Sequence, residues 1–357
     1  MSMKQRKSFG SICAIACAAA TFKAASITCC ILLSLPLSAQ EAAYKEKLDS
    51  IIYTVATSVS GRSTKNVFYY NRHGQICQIA EYTAKDSAAD WRLYSLTQCK
   101  YDAEGRNTVW EKSTLKGNTW STYERIEAEF DSKGNILQTK EYDQYSTTRY
   151  TFIYNADSLL QEVTIQALRD GQWESTSKRL YTYSGKNMTS SVSADYEDGT
   201  WKEYHKNIYE YDANGNRVKH TFPAAMRYMT YSYDANGRMT NRLTYGQDEN
   251  GNWDKEPTTE RRYTYDAQGN CTGRIDRWIR YNNEPTQKEV IEYDAATPAS
   301  QVAGLSNAPT LGWLEILNLV DNLSKYTAKV RSHKINDLNR QASSMSDKTA
   351  TFYYSAY

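Results

Sequence analysis

Four tryptophans stand just after loop tips: Trp120 in LKGNTW, Trp173 in DGQW, Trp201 in DGTW and Trp253 in NGNW. A ring that faces outward beside a turn can stack on a sugar or a peptide, so these four are the candidate ligand-binding residues. The competing reading is structural: aromatic rings supply buried area to a thin sheet, and the 30 tyrosines are read that way. The DxNxN spacing of Asp212, Asn214 and Asn216, and the acidic turn from Asp248 to Asp254, match the start of a calcium loop. No later bidentate carboxylate recurs at a fixed distance, so both read as turns that cap their own backbone. The histidines (73, 205, 220, 333) are scattered outside any metal spacing. There is no nucleophile elbow, phosphate loop or dinucleotide glycine motif. The expectation is a non-enzymatic protein with no catalytic residue, no metal site and no cofactor.

These residues need elements to hold them, and composition limits the choice. The chain has 357 residues, 40% hydrophobic and 24% charged, with a net charge of +2. Tyrosine outnumbers leucine, and eight tryptophans add to it. Such a chain folds around aromatic rather than aliphatic area. That excludes a helical bundle, an α/β enzyme with continuous buried strands, and a basic nucleic-acid binder, so no nucleic-acid partner is expected.

Residues 1–39 carry Lys4, Arg6, Lys7 and Lys23 and no acid. A basic start, the apolar run ASITCCILLSLPL and the small residues Ser38-Ala39 describe a secretory signal peptide cleaved after Ala39. Lys23 and Pro36 interrupt the two apolar stretches, so a membrane anchor is the weaker reading. No other stretch is apolar enough to cross a membrane as a helix. Export to the periplasm, the cell surface or the extracellular space is expected.

Internal periodicity is the strongest signal. An aromatic residue followed by a turn recurs at Tyr70, Tyr101, Phe130, Tyr154, Tyr183, Tyr211, Tyr233, Tyr265 and Tyr293, at intervals of 22 to 32 residues. In YDANG the Asp suits the first position of a type I turn, and the Gly takes the left-handed conformation that closes a bulged hairpin. Residues before each anchor alternate, as in Tyr209-Glu210-Tyr211, which is strand periodicity. A second turn divides most repeats and precedes the tryptophans; tighter connections replace it near Gln144–Thr147 and Pro223–Met226. Nine anchors then imply sixteen to eighteen strands in an antiparallel meander.

The YDANGN, YDANGR and YDAQGN units resemble the YD repeats of the RHS family of bacterial secreted and surface proteins. The resemblance covers about residues 66–295. It implies β-hairpins joined into a long, curling sheet, which large members wrap around a toxin domain. This chain has few repeats, and no sizeable C-terminal effector domain or autoproteolytic motif is recognisable. It is similar to small exported bacterial proteins with degenerate YD-like repeats.

The expected organisation is a signal peptide (1–39), a polar lead segment (40–65) with a short helical turn from Lys45 to Ile52, a hairpin-repeat domain (66–296) and a capping region (297–357). In the last region LGWLEILNLVDN (311–322) reads as a short helix, and 324–335 and 348–357 as a final hairpin that caps the sheet edge. The fold class expected is all-β: an elongated antiparallel meander with a short C-terminal helix. Cys77 and Cys99 lie equidistant from the centre of the second turn of their repeat, near 88, which sets them opposite one another across a hairpin. A cross-strand disulfide is expected there, and a free thiol at Cys271. The expected role is a surface or extracellular binding and scaffold module. The alternatives are carbohydrate binding through the tryptophans, or a reduced RHS-like shell around a partner polypeptide.

Overall fold

The computed structural model describes residues 46–56, 62–85, 90–248, 250–280, 283–298, 301–303, 328–337 and 347–356. The predicted signal peptide and the predicted helix at 311–322 lie outside them. The strands are β1 (Glu46–Ala56), β2 (Arg62–Tyr70), β3 (Ile76–Lys85), β4 (Arg92–Tyr101), β5 (Asn107–Lys116), β6 (Thr119–Phe130), β7 (Ile136–Asp143) and β8 (Thr147–Tyr154). They continue with β9 (Leu160–Arg169), β10 (Gln172–Ser184), β11 (Asn187–Glu197), β12 (Thr200–Tyr211), β13 (Arg217–Phe222), β14 (Arg227–Tyr233) and β15 (Met239–Gly246). The last are β16 (Thr259–Tyr265), β17 (Cys271–Trp278), β18 (Glu284–Pro298), β19 (Val302–Ala303), β20 (Ala328–Asp337) and β21 (Asp347–Ala356).

Each strand from β1 to β18 pairs antiparallel with the next; β18 then pairs with β20, β20 with β21, and β21 with β1. The sheet is therefore a closed ring, and β19 adds only a short parallel pairing to β1. This corrects the expected elongated meander. The predicted final hairpin does form, but it joins the two ends of the sheet instead of capping one edge. Residues 46–56 are a strand in that seam rather than a helical turn. The 3₁₀ turn at Pro223–Ala225 stands at one predicted tight connection. The physical reason for closure is that an open meander leaves two rows of unpaired backbone groups, and pairing β21 with β1 removes both.

The repeat unit follows from its turn chemistry. In Asp102–Arg106 the Asp102 carboxylate accepts the backbone N–H groups of Glu104 and Arg106 at 3.1 and 2.8 Å, and Gly105, with φ +80°, closes the turn. Asp131, Asp212, Asp234 and Asp266 repeat the arrangement. A bulge follows each turn, as where Tyr101 pairs with Asn107 but Lys100 with Val109. The anchor tyrosine then reaches back one hairpin. Tyr101, Tyr183, Tyr233, Tyr265 and Tyr293 donate their hydroxyls to the carbonyls of Ile76, Leu160, Arg217, Met239 and Cys271 at 2.7 to 2.9 Å. In each case the acceptor lies two residues past the left-handed turn residue of an earlier hairpin.

Ladder registers put the anchors on one face together with Phe68, Ile79, Cys99, Trp110, Ile126 and Phe352, which are among the most buried side chains. Trp110 is 0% exposed, packed among Cys99, Ile126, Ala128, Tyr101 and Phe130. In a ring one layer thick, only the concave side can occlude rings of that size, so the anchor face lines the lumen. The opposite face is charged: Glu111, Arg125 and Glu127 form a chain of ion pairs at 2.6 and 2.7 Å, and Arg149, Lys178 and Lys219 continue along it.

Candidate functional site

The four tryptophans lie at the rim opposite the YD turns, and registers place the three on strands on the outer face. Trp120 and Trp253 are 37% and 41% exposed. The other two rings are covered by cations: the Arg149 guanidinium lies 4.4 Å from the Trp173 ring, and the Lys178 ammonium 4.6 Å from that of Trp201. Trp201 also packs on Tyr196 with ring centroids 4.9 Å apart, and Trp253 meets Tyr228 edge-on at the same distance. Trp173 on β10 and Trp201 on β12 are two strands apart and offset by about three residues along the strand, so they are roughly 14 Å from each other, whereas Trp120 on β6 is four strands from Trp173. The structure sets the middle two on nearby strands of one face, each under a cation, and keeps Trp120 apart.

The aspartates of the turns are occupied by their own backbone. Asp212 accepts from the Asn214 and Asn216 N–H groups and from Asn216 Nδ2, and Asp248 does the same with Asn250 and Asn252. These bonds hold both carboxyls below the usual carboxylate range. The residue after the Gly links neighbouring turns: Gln75 donates to the Gly105 carbonyl, and Arg106 to that of Asp131, both at 2.8 Å.

The pairing of Cys77 with Cys99 expected from the hairpin arithmetic would fall one step beyond the β3–β4 ladder, which ends at Gln78 and Gln98. The β3–β4 ladder pairs Gln78 with Gln98 and Ile79 with Thr97, so the register read from sequence is the register of the structure. Cys77 itself falls in the bulge after Gly74 and bonds weakly to the Tyr69 carbonyl at 3.5 Å. Cys77, Cys99 and Cys271, the cysteines among the described residues, are free thiols here. Burial, and to a lesser degree Cys77, pushes the Cys99 thiol up to about 12.

Composition and spacing gave no sign of a basic row on the lumen face. Register aligns Tyr231 of β14 with Arg242 of β15, Arg261 of β16 and Asp276 of β17. Asp276 takes both oxygens to Arg261, at 2.6 and 2.7 Å. Arg217 of β13 lies over Tyr231, its guanidinium carbon 4.7 Å from the ring centre. Burial, reinforced by Arg261, lowers the Arg242 pKa. His220, between Tyr209 at 4.3 Å and Phe222 at 3.7 Å, is held at about 4 by burial and then by Arg217 and Arg227. The signal that would have found the row is the parity of MTYSY, NRLTYG and ERRYTY once the bulges are placed.

The fold and these sites define an all-β protein, a closed antiparallel barrel assembled from hairpin repeats. No family model matches the chain, and no curated protein matches it. Solved structures with some likeness include a porin-like protein from Bacteroides uniformis, 14% identical, covering 63% of this chain and 99% of that one, with a TM-score of 0.35. Another is the Tc holotoxin pore of Photorhabdus luminescens, 13% identical over 82% of this chain but 18% of that one, with a TM-score of 0.28. A third is a Bacteroides fragilis protein of unknown function, 11% identical, covering 45% and 86% of the two chains, with a TM-score of 0.17.

Proposed function

We propose that this chain is an exported, non-enzymatic barrel of the RHS-like, YD-repeat kind, acting as a surface or extracellular binding and scaffold module. The observation that carries the reading is the charge on both faces of the closed ring. A lipid-facing barrel needs an apolar outer band, and charged side chains on it cost about 2–4 kcal/mol each near the bilayer midplane. Here the outward positions hold the Glu111–Arg125–Glu127 ion pairs and Arg149, Lys178 and Lys219. Such a ring is suited to water on its outer side, with its lumen side chains free for recognition. No described helix is long and apolar enough to cross a membrane, which says nothing of strands.

Two narrower readings have their own support. The exposure of Trp120 and Trp253 favours glycan binding at the tryptophan rim. The substantial contacts between described strands run only along the ladder, which favours a shell with room for a partner polypeptide. Export is checked by mass spectrometry of protein from the native cell, where the mature N-terminus should fall at or near Gln40. An intact Met1 on cytoplasmic protein overturns it. The water-facing reading is checked by detergent-free gel filtration, and a requirement for detergent overturns it. Glycan and host-protein arrays, with co-purification of a stoichiometric small protein, separate the binding roles.

A further inference from the structure

We propose that Arg217, Tyr231 and Arg242 on the lumen face form a binding site for the carboxylate or sulfate group of an acidic oligosaccharide. The proposal deepens the binding-module reading and rests on it.

Along this face Arg217, Arg227 and Arg242 have no carboxylate partner among the described residues; Arg227 lies over Phe222 at 4.9 Å, which leaves Arg217 and Arg242 beside Tyr231. Asp276 is committed to Arg261 through two hydrogen bonds, and Glu289 to Arg274 at 2.5 Å. The acids of β12, Glu203 and Glu210, stand on the outer face by register, and Glu210 pairs with Lys219 at 3.3 Å. Strands β13, β14 and β15 contain no acid. At the adjacent turns Asp212 is bonded to Asn214 and Asn216, and Asp234 to Arg238 Nε at 2.6 Å. Arg217 Nε and Arg242 Nε are buried with no hydrogen-bond acceptor among the described residues. Arg242 also pairs across the ladder with Arg261, and like charges placed directly opposite are destabilising. A fold that only needed packing at Arg242 would be served as well by a neutral side chain. Cost retained at one place without a compensating partner marks functional positions.

The chemistry of the gap defines its occupant. Arg217 lies over the Tyr231 ring and Arg242 is the cross-strand partner of Tyr231, so the two flank it from β13 and β15. Guanidinium forks match planar or tetrahedral oxyanions with two parallel N–H···O bonds. Arg217 lies between the Tyr209 and Tyr231 rings, so an oxyanion held there would bring the attached sugar against an aromatic wall. Strands β13 to β15 present Arg, His, Phe, Met, Tyr and Thr to this face, with no Leu or Ile that would hold a peptide side chain. An acidic sugar fits this surface better than an acidic peptide.

Isothermal titration of the purified protein with trigalacturonate tests the site, with neutral galactotriose, triglutamate and sulfate ion as comparison probes. Trigalacturonate should bind, more weakly as salt rises, and the double variant Arg217→Gln/Arg242→Gln should lose about tenfold or more in affinity. Its melting temperature should be equal to or above that of the parent. Arg125→Gln on the outer face should bind as the parent does. Arg242→Lys, which keeps the charge and loses the fork, should show a smaller loss, and it carries the test if the double variant does not fold. No binding of trigalacturonate, or equal binding by the variants, overturns the site. Triglutamate binding as tightly as trigalacturonate overturns the sugar assignment, and binding of sulfate alone marks an adventitious ion only. Array binding of a neutral glycan or a host protein without trigalacturonate binding leaves the module reading standing while removing this site.

Discussion

The Tyr101 hydroxyl donates to the carbonyl oxygen of Ile76 at 2.7 Å, tying one hairpin to the start of the strand before it. The same bond recurs at Tyr183, Tyr233, Tyr265 and Tyr293. The anchor thus does two things: its ring covers the lumen face, and its hydroxyl satisfies a carbonyl next to the bulge. Phe130 holds an anchor position without a hydroxyl, and its ring is covered by the Arg106 guanidinium at 5.0 Å.

Tyr101→Phe should therefore lower stability by about 1 kcal/mol, the net value of one partly buried hydrogen bond, while leaving the ring packing unchanged. Phe130→Tyr, the reverse change, should raise it by a similar or smaller amount by reaching the Asn107 carbonyl. Denaturant titration of both variants checks the pair. Stability unchanged in Tyr101→Phe would show that the hydroxyl contributes nothing.

Gly273 is required by a close approach rather than by a turn. A Cβ there would lie 2.3 Å from the Glu289 carbonyl oxygen on the neighbouring strand. Gly273→Ala must push β17 from β18 and should cost about 1–3 kcal/mol or more. Gly134→Ala is the contrast: φ is +87° and nothing lies within 4 Å, so only backbone strain of about 1–2 kcal/mol is added. Thermal melts should rank Gly273→Ala as the less stable, and the opposite ranking would place the strain in the turns.

His220 titrates at about 4 in the folded protein against 6.5 ordinarily. Between those values the unfolded chain holds a proton that the folded chain does not, so stability rises with pH across the window and is lost as pH falls through it. His220→Asn should flatten stability against pH between about 4 and 6.5, read from urea midpoints at several pH values. The turn carboxylates, lowered from 3.8, act further down the scale. An undiminished slope in the variant would assign the window to other groups.

Cys77 and Cys99 should join in the exported, oxidised protein, because the observed register, carried one step past the end of the ladder, sets them beside each other across one hairpin. Non-reducing peptide mapping should give a linked 77–99 peptide with Cys271 still alkylatable. Labelling of all three thiols in native exported material rules the bond out.

What the residues determined alone is local. DANG-type turns, the bulge after each, the alternation ahead of each anchor and the β3–β4 register all depend on a few neighbouring side chains and one left-handed glycine, so they are written in short stretches of chain. The alternation read in the two end segments corresponds to β20 and β21, Ala328–Asp337 and Asp347–Ala356, for the same reason. Tertiary structure alone decided closure. Tyr53 pairs with Ala350 across almost the whole chain, and that pairing depends on the twist accumulated over every intervening hairpin, which no local pattern encodes. It also decided which tryptophans share a neighbourhood: the cations over Trp173 and Trp201 arrive from other hairpins. The row of Tyr231, Arg242, Arg261 and Asp276 is likewise built from four strands. Each bulge shifts the facing of the downstream side chains by one residue, so the side on which an arginine falls is settled only when all the bulges are in place.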